Sequence, residues 1–177
     1  MKKGIILFQS KYGSTKKYAD WLTEETGYDC IPTKNATVRL LKDYDTIVLG
    51  GGIYASSIAG LSFLKKNIGS LSGKTIAVFG VGASPYDEDA IEQVKMLHFK
   101  DGLQDIPFFY CRGRWDEEKM SLTDRALCRL LKKAVAKQDP ETYEPWQKAL
   151  MSTVGQSQCD WTDRTYLEPL IKYLHQN

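Results

Sequence analysis

The stretch Gly4-Ile5-Ile6-Leu7-Phe8-Gln9-Ser10-Lys11-Tyr12-Gly13-Ser14-Thr15 decides the fold. Its first half, Gly4–Gln9, is a short, mostly apolar run without alternation. Such a run predicts a strand covered on both faces, as in a parallel sheet. Its second half packs three hydroxyl side chains and a glycine into a turn. Beyond the turn, Tyr18, Ala19 and Leu22 recur at helical spacing. Ser14–Glu25 is therefore expected as a helix, with Ser14 or Thr15 as N-cap. Strand, tight turn and helix in that order begin a βαβ unit.

The pattern repeats along the chain. Thr46–Gly50, Thr75–Gly80 and Ile106–Arg112 read as further buried strands, and Tyr28–Pro32 as a weaker edge strand. Helical stripes lie between them. Thr37–Leu41 is short, and Leu61, Leu64 and Ile68 mark an inner face. Asp87–Phe99 offers Ile91, Val94, Met96 and Leu97. Leu122–Lys137 places Leu127, Leu130, Leu131 and Ala134 on one side. A last helix carries Leu167, Leu170, Ile171 and Leu174, with Pro169 in its first turn if Thr165 caps it and Glu168 completes a capping box. The alternation predicts an α/β fold, a three-layer sandwich of five parallel strands with right-handed crossovers and helices on both faces. With 177 residues, 42% of them hydrophobic, one domain over residues 1–177 is expected. Residues 138–160 are the irregular part. Asp139-Pro140 and Glu144-Pro145 interrupt the chain, a short helix around Tyr143–Met151 lies between breaks, and Gly155-Gln156-Ser157-Gln158 is polar.

Composition excludes several classes. A net charge of +2 is not the footprint of a nucleic-acid binder. The longest apolar runs are far shorter than a membrane span. Met1-Lys2-Lys3-Gly4 enters such a short run and lacks a signal peptide's apolar core and cleavage site, so a cytoplasmic protein is expected. Cys30, Cys111, Cys128 and Cys159 form no C-x-x-C pair and read as reduced thiols. Two histidines, His98 and His175, are too few for a metal cluster, and no metal site is expected.

In a doubly wound sheet ligands bind beyond the carboxyl ends of the strands. Three loops stand there. Ser10-Lys11-Tyr12-Gly13-Ser14-Thr15 opens a helix, whose free N–H groups and partial positive charge suit an anion. The hydroxyls of Ser10, Ser14 and Thr15 add donors, and Gly13 clears the approach. An ordinary capped turn would look similar. Gly50-Gly51-Gly52-Ile53-Tyr54 follows the next strong strand; its glycines allow close approach of a flat ligand, and Tyr54 offers a ring for stacking. Gly80-Val81-Gly82-Ala83-Ser84-Pro85-Tyr86 again keeps the backbone open. Pro85 stands where a dinucleotide G-x-G-x-x-G needs its last glycine. Gly69-Ser70-Leu71-Ser72-Gly73-Lys74-Thr75 imitates a P-loop, but has one residue too few and precedes a strand instead of following one. Together the three loops describe a site for a phosphorylated planar cofactor.

On these residues the sequence resembles the flavodoxin family. The resemblance implies a flavodoxin-like fold that binds FMN. Ser10, Lys11, Tyr12, Gly13, Ser14 and Thr15 would hold the phosphate. Gly51, Gly52, Ile53 and Tyr54, with Gly80, Val81, Gly82, Ala83 and Ser84, would flank the isoalloxazine ring. The family usually has threonine before the glycine of the first loop; here Tyr12 stands there, which leaves fewer hydroxyls for phosphate. One branch, the menaquinone-dependent protoporphyrinogen dehydrogenases of haem synthesis, is similar in its order of elements through Cys111-Arg112-Gly113-Arg114-Trp115, a basic helix and Asp160-Trp161.

Two uses of the flavin follow. One is electron transfer between redox partner proteins. The other is oxidation of a small organic substrate with electrons passed to a quinone. Flavodoxin carriers are typically strongly acidic, and this chain is near neutral. Arg112 and Arg114, at the functional end of the last strand, suit carboxylates of a substrate or pair with Asp116, Glu117 or Glu118. No residue stands out as a general acid or base. The basic segment Lys119–Lys137 is expected to pack its leucines on the sheet with its cations solvated; peripheral contact with an anionic membrane or an acidic partner is the alternative.

Overall fold

The computed structural model describes residues 3–54, 57–155 and 157–177; Met1, Lys2 and Gln156, named above, lie outside them. In chain order the elements are β1 (Gly4–Gln9), α1 (Ser14–Thr26), β2 (Asp29–Pro32), α2 (Val38–Leu41), β3 (Thr46–Tyr54), β4 (Ser57–Ile58), α3 (Leu61–Asn67) and β5 (Thr75–Gly82). They continue with α4 (Glu88–His98), β6 (Phe108–Arg112), β7 (Arg114–Asp116), α5 (Leu122–Val135), α6 (Pro145–Ser152), β8 (Gln158–Asp160) and α7 (Glu168–Gln176).

The main sheet runs β2-β1-β3-β5-β6, all parallel, with β4 antiparallel on the end of β3. This is the flavodoxin-like doubly wound order, whose switch point lies between β1 and β3. Strand alternation divides the core. Ile5, Leu7, Ile47, Leu49, Ile76 and Val78 face one way, against Leu41, Leu61, Leu64 and Val94 of α2, α3 and α4. Ile6, Val48, Ala77, Phe79 and Val81 face the other, against Tyr18, Ala19 and Leu22 of α1 and Leu170 and Leu174 of α7. Both faces are covered, which is why these strands read as continuous apolar runs.

Several expectations need correction. β3 continues to Tyr54 and β5 to Gly82, so the glycine stretches after both are strand rather than loop. The reason is a fit between strands. A Cβ on Gly50 would lie 2.2 Å from the Phe79 ring, and one on Gly80 would lie 2.6 Å from the Phe108 ring. Glycine there lets an aromatic neighbour fill the layer while the ladder continues. β6 begins at Phe108, because Ile106 closes a turn onto Leu103. The N-cap of α1 is Gly13, not Ser14 or Thr15. Thr165 is not the cap of the last helix either. The Asp163 carboxylate accepts from the Thr165 N–H at 2.8 Å and caps a 3-10 turn, Arg164–Leu167, that runs into α7. Pro169 does sit in the first turn of α7. On α4, Met96 and Leu97 are exposed and Val94 is buried.

The largest correction concerns α5. Most of the expected inner face is open: Leu122, Leu127, Leu130 and Ala134 are exposed, Leu131 is half-buried, and Val135 is its buried residue. Polar tethers set its orientation instead. Arg125 donates from Nε and Nη2 to the carbonyls of Glu117 and Glu118, each at 2.8 Å. Lys132 is paired with Glu117 and lies 5.1 Å from the centre of the Trp115 ring. The sequence also gave no sign of the two-stranded β7–β8 ribbon beneath these tethers.

The strand glycines differ sharply in what they tolerate. A Cβ on Gly51 would sit 2.1 Å from the Ala59 carbonyl oxygen, which is backbone and has little room to move, whereas one on Gly69 meets nothing within 4 Å. Gly51→Ala is expected to cost about 1–3 kcal/mol, the usual range for overpacking. Gly69→Ala should be neutral or slightly stabilising. Urea melts of the two variants check this; equal midpoints would contradict the close packing at the end of β3.

Candidate functional site

The carboxyl ends of β1, β3, β5 and β6 lie together, and the residues of the three loops converge there. α1 starts at a glycine in the left-handed region, Gly13 at φ 94°, with no side-chain cap. A residue with a Cβ would be strained at this angle. The helix thus keeps its first-turn N–H groups and its positive dipole end without a capping oxygen from its own N-cap. Ser10 Oγ accepts from the Gly13 N–H at 3.0 Å, which closes the loop and leaves the hydroxyl hydrogen to donate. Thr15 is buried in the first turn.

The side chains of Lys11 and Tyr12 turn away from the loop. Both donate to the carboxylate of Asp124, which reaches over from α5. The hydrogen bond from Lys11, then that from Tyr12, holds the Asp124 carboxyl below its ordinary range, and the same bond raises Lys11. Tyr12, which replaces the family's threonine, therefore spends its hydroxyl on α5. Its ring stands edge-on to Tyr54, 6.4 Å between centres. Tyr54 folds back along its own strand, with its hydroxyl 2.6 Å from where a Cβ on Gly52 would be. Burial is the main cause that raises its pKa, and the Lys11 backbone N–H bonds to it. Gly51 and Gly52 thus make room for the chain's own Ala59 carbonyl and Tyr54 ring.

The end of β6 and the start of β7 supply residues that the sequence left open. Arg114 brings a guanidinium to the first loop. Its Nη2 donates to the Tyr12 carbonyl at 3.2 Å and lies 3.3 Å from where a Cβ on Gly13 would be. Its backbone N–H donates to Ser14 Oγ at 3.3 Å. Its Nε is buried with no hydrogen-bond partner among the described residues, a state that polar groups rarely keep without a ligand or water. Arg112 braces the third loop: its Nε donates to the Ala83 carbonyl at 3.2 Å, and its guanidinium stacks 4.1 Å from the Trp161 ring centre. Tyr110 donates to the Ser84 carbonyl beside it. Gly80, Val81 and Gly82 are the end of β5 itself, and Ile53 leans to 3.0 Å from a Cβ position on Gly80. Two signals for the missed residues were in the sequence. Gly113 separates the two arginines at a strand end, and Asp124 is the one acid among the residues of α5.

A family model described as Flavodoxin domain matches residues 5–143. This chain belongs to the flavodoxin domain family. Among solved structures, a WrbA-like flavodoxin of Agrobacterium tumefaciens is 15% identical at a TM-score of 0.47, over 73% of this chain and 92% of that one. The two-electron reduced flavodoxin of Megasphaera elsdenii is 18% identical at a TM-score of 0.43, over 60% and 82%. A flavoprotein of Lactobacillus acidophilus, solved in complex with FMN, is 17% identical at a TM-score of 0.41, over 63% and 93%. No curated protein matches the sequence closely enough to count as a relative.

In the flavodoxin domain of this chain the tie from α5 to the first loop is ionic, so acid should release it. A lowered carboxyl contributes fully above its ordinary value near 3.9, and the contribution disappears as pH falls through the lowered value. Asp124→Asn is expected to melt earlier than the parent at neutral pH, with the gap closing in acid below the carboxylate range. Thermal melts across that pH range test this. A gap that stays constant into acid would show that the carboxylate charge is not what holds the loop.

Proposed function

We propose that this chain binds FMN, with the phosphate in the Ser10–Thr15 loop, and that the bound flavin carries electrons. The observation that carries the reading is the start of α1: an uncapped helix at left-handed Gly13, with the Arg114 guanidinium beside it and an orphaned buried Nε. That donor set suits a phosphate dianion. The first-turn N–H groups and the hydroxyls of Ser10, Ser14 and Thr15 would donate to its oxygens. Arg114 would add a charge-assisted bond. Tyr54 and the Gly80–Ser84 segment would bound the ring. FMN, when bound, supplies the one- and two-electron chemistry; the protein's residues hold it, orient it and shape access to it.

Membership of the flavodoxin domain family supports electron transfer over turnover of an organic substrate, and so does Arg112. Its guanidinium is committed to the Ala83 carbonyl and the Trp161 ring. That makes it a brace of the third loop rather than a clamp for substrate carboxylates. The electron partner is a redox protein or a quinone.

Two titrations test this reading. Purified protein stripped of flavin should bind FMN in a one-to-one complex with quenched flavin fluorescence. Arg114→Gln should weaken FMN by about 10- to 100-fold, the equivalent of one charged hydrogen bond. It should leave riboflavin, which lacks the phosphate, unchanged. Failure of the parent to bind FMN would sink the proposal. An equal loss for FMN and riboflavin would remove Arg114 from the phosphate.

A second titration separates the uses. The reduced holoprotein should pass electrons to a protein acceptor or a quinone without any organic substrate. Reduction of its flavin by protoporphyrinogen would instead favour the oxidase reading.

A further inference from the structure

The outer face of α5 combines two features that its polar tethers do not explain. Leu122 is 82% exposed, Leu130 65% and Leu127 55%. Beside this apolar strip run Arg129, Lys133 and Lys137, all exposed. Helical spacing places Arg129 and Lys133 on one edge, with Leu127 and Leu130 along the neighbouring sector, and Lys137 follows in the turn after the helix. The one carboxylate of α5, Asp124, is turned inward to Lys11 and Tyr12. The outward face of this helix therefore carries apolar and cationic side chains and the neutral Thr123, and no carboxylate.

Soluble surfaces tolerate single exposed leucines; an aligned set on one helix marks a contact surface. We propose that this face docks on an anionic lipid surface, with α5 lying in the plane of the interface. The charge pattern selects that occupant. A cationic edge along the C-terminal half of α5 and the turn after it, beside the apolar strip, matches a headgroup layer over acyl chains. There the leucines enter the apolar boundary, and the long lysine and arginine side chains reach back to the phosphates. A second copy of this chain would bring the same cations against themselves, which repels. No helix among the described residues is long and apolar enough to cross a membrane, so the contact is peripheral. The inner face of the same helix holds the first loop through Asp124. Docking thus sets the candidate flavin loop beside the lipid, within reach of a lipid-soluble electron acceptor. The docking itself does not depend on the flavin reading.

Co-sedimentation of the full chain with vesicles of phosphatidylcholine, with and without phosphatidylglycerol, tests the proposal. The parent should bind only the vesicles containing phosphatidylglycerol, and high salt should weaken the binding. Lys133→Glu with Lys137→Glu should weaken it about tenfold or more. Leu127→Ser with Leu130→Ser should abolish it even at low salt, while melting temperature and FMN affinity match the parent. Hydrogen exchange of Leu122–Val135 in the parent should slow when phosphatidylglycerol vesicles are added, which gives a readout independent of any variant. Absence of parent binding, or full binding by the leucine variant, would overturn the proposal. So would a parent dimer in solution that the leucine variant converts to monomer, because the face would then be covered by a second copy.

Discussion

Arg114 reaches the first loop only because Gly113 lies flat at the end of the sheet. A Cβ on Gly113 would sit 2.9 Å from Val81 and 3.4 Å from Ser14. With no side chain there, its N–H donates to the Gly82 carbonyl at 2.7 Å, and the next N–H donates to Ser14 Oγ at 3.3 Å. One close approach therefore ties β6, β5 and the start of α1. The left-handed turn at Gly13, the Tyr12 carbonyl and the guanidinium meet because of it. A larger residue at position 113 would push β6 away from α1 and take the positive charge out of the loop.

The fold was legible because its physics is local and repeated. Strands buried on both faces cannot alternate, and Ile5-Ile6-Leu7-Phe8 and Thr75–Phe79 do not. The candidate loops were legible as positions, since parallel connections bring every strand's carboxyl end to the same side. The work done by their glycines was not. A triple glycine in sequence looks like an open loop, yet Gly50 serves a Phe79 ring in the neighbouring strand and Gly51 a carbonyl in the following hairpin. Those partners are fixed by strand register, which a single sequence does not carry. Arg114 and Asp124 were obscure for the same reason: what they touch lies about a hundred residues earlier in the chain.

α5 shows a different limit. Helical periodicity identifies faces but does not say which one meets the protein. Burial would favour the leucines, and about 1.5–3 kcal/mol per large side chain is at stake. The observed orientation gives that up. It is held by Arg125 on two carbonyls, Lys132 on Glu117 and Asp124 on the first loop. An orientation set by polar contacts leaves these leucines exposed against the apolar preference. That is a local inconsistency of the kind expected at functional surfaces.

The segment beyond the family match has its own part in the site. Tyr18, fully buried in α1, donates to the Arg112 carbonyl at 2.6 Å and accepts from the Asp163 N–H at 3.1 Å. The Trp161 N–H donates to the Gly113 carbonyl at 3.2 Å, and the Trp161 ring carries Arg112. Lys17 is anchored by Thr162 Oγ1 at 2.7 Å. Residues 160–163 thus grip both α1 and the end of β6 at the point where Gly113 makes its close approach. α7, which follows them, seals the same face of the sheet through Leu170 and Leu174. The first loop opens the chain, but its geometry is completed only when the last elements dock. The part of the site that says most about an anion is therefore long-range: strand, glycine turn and helix begin it, and residues near the other terminus hold its charge in place.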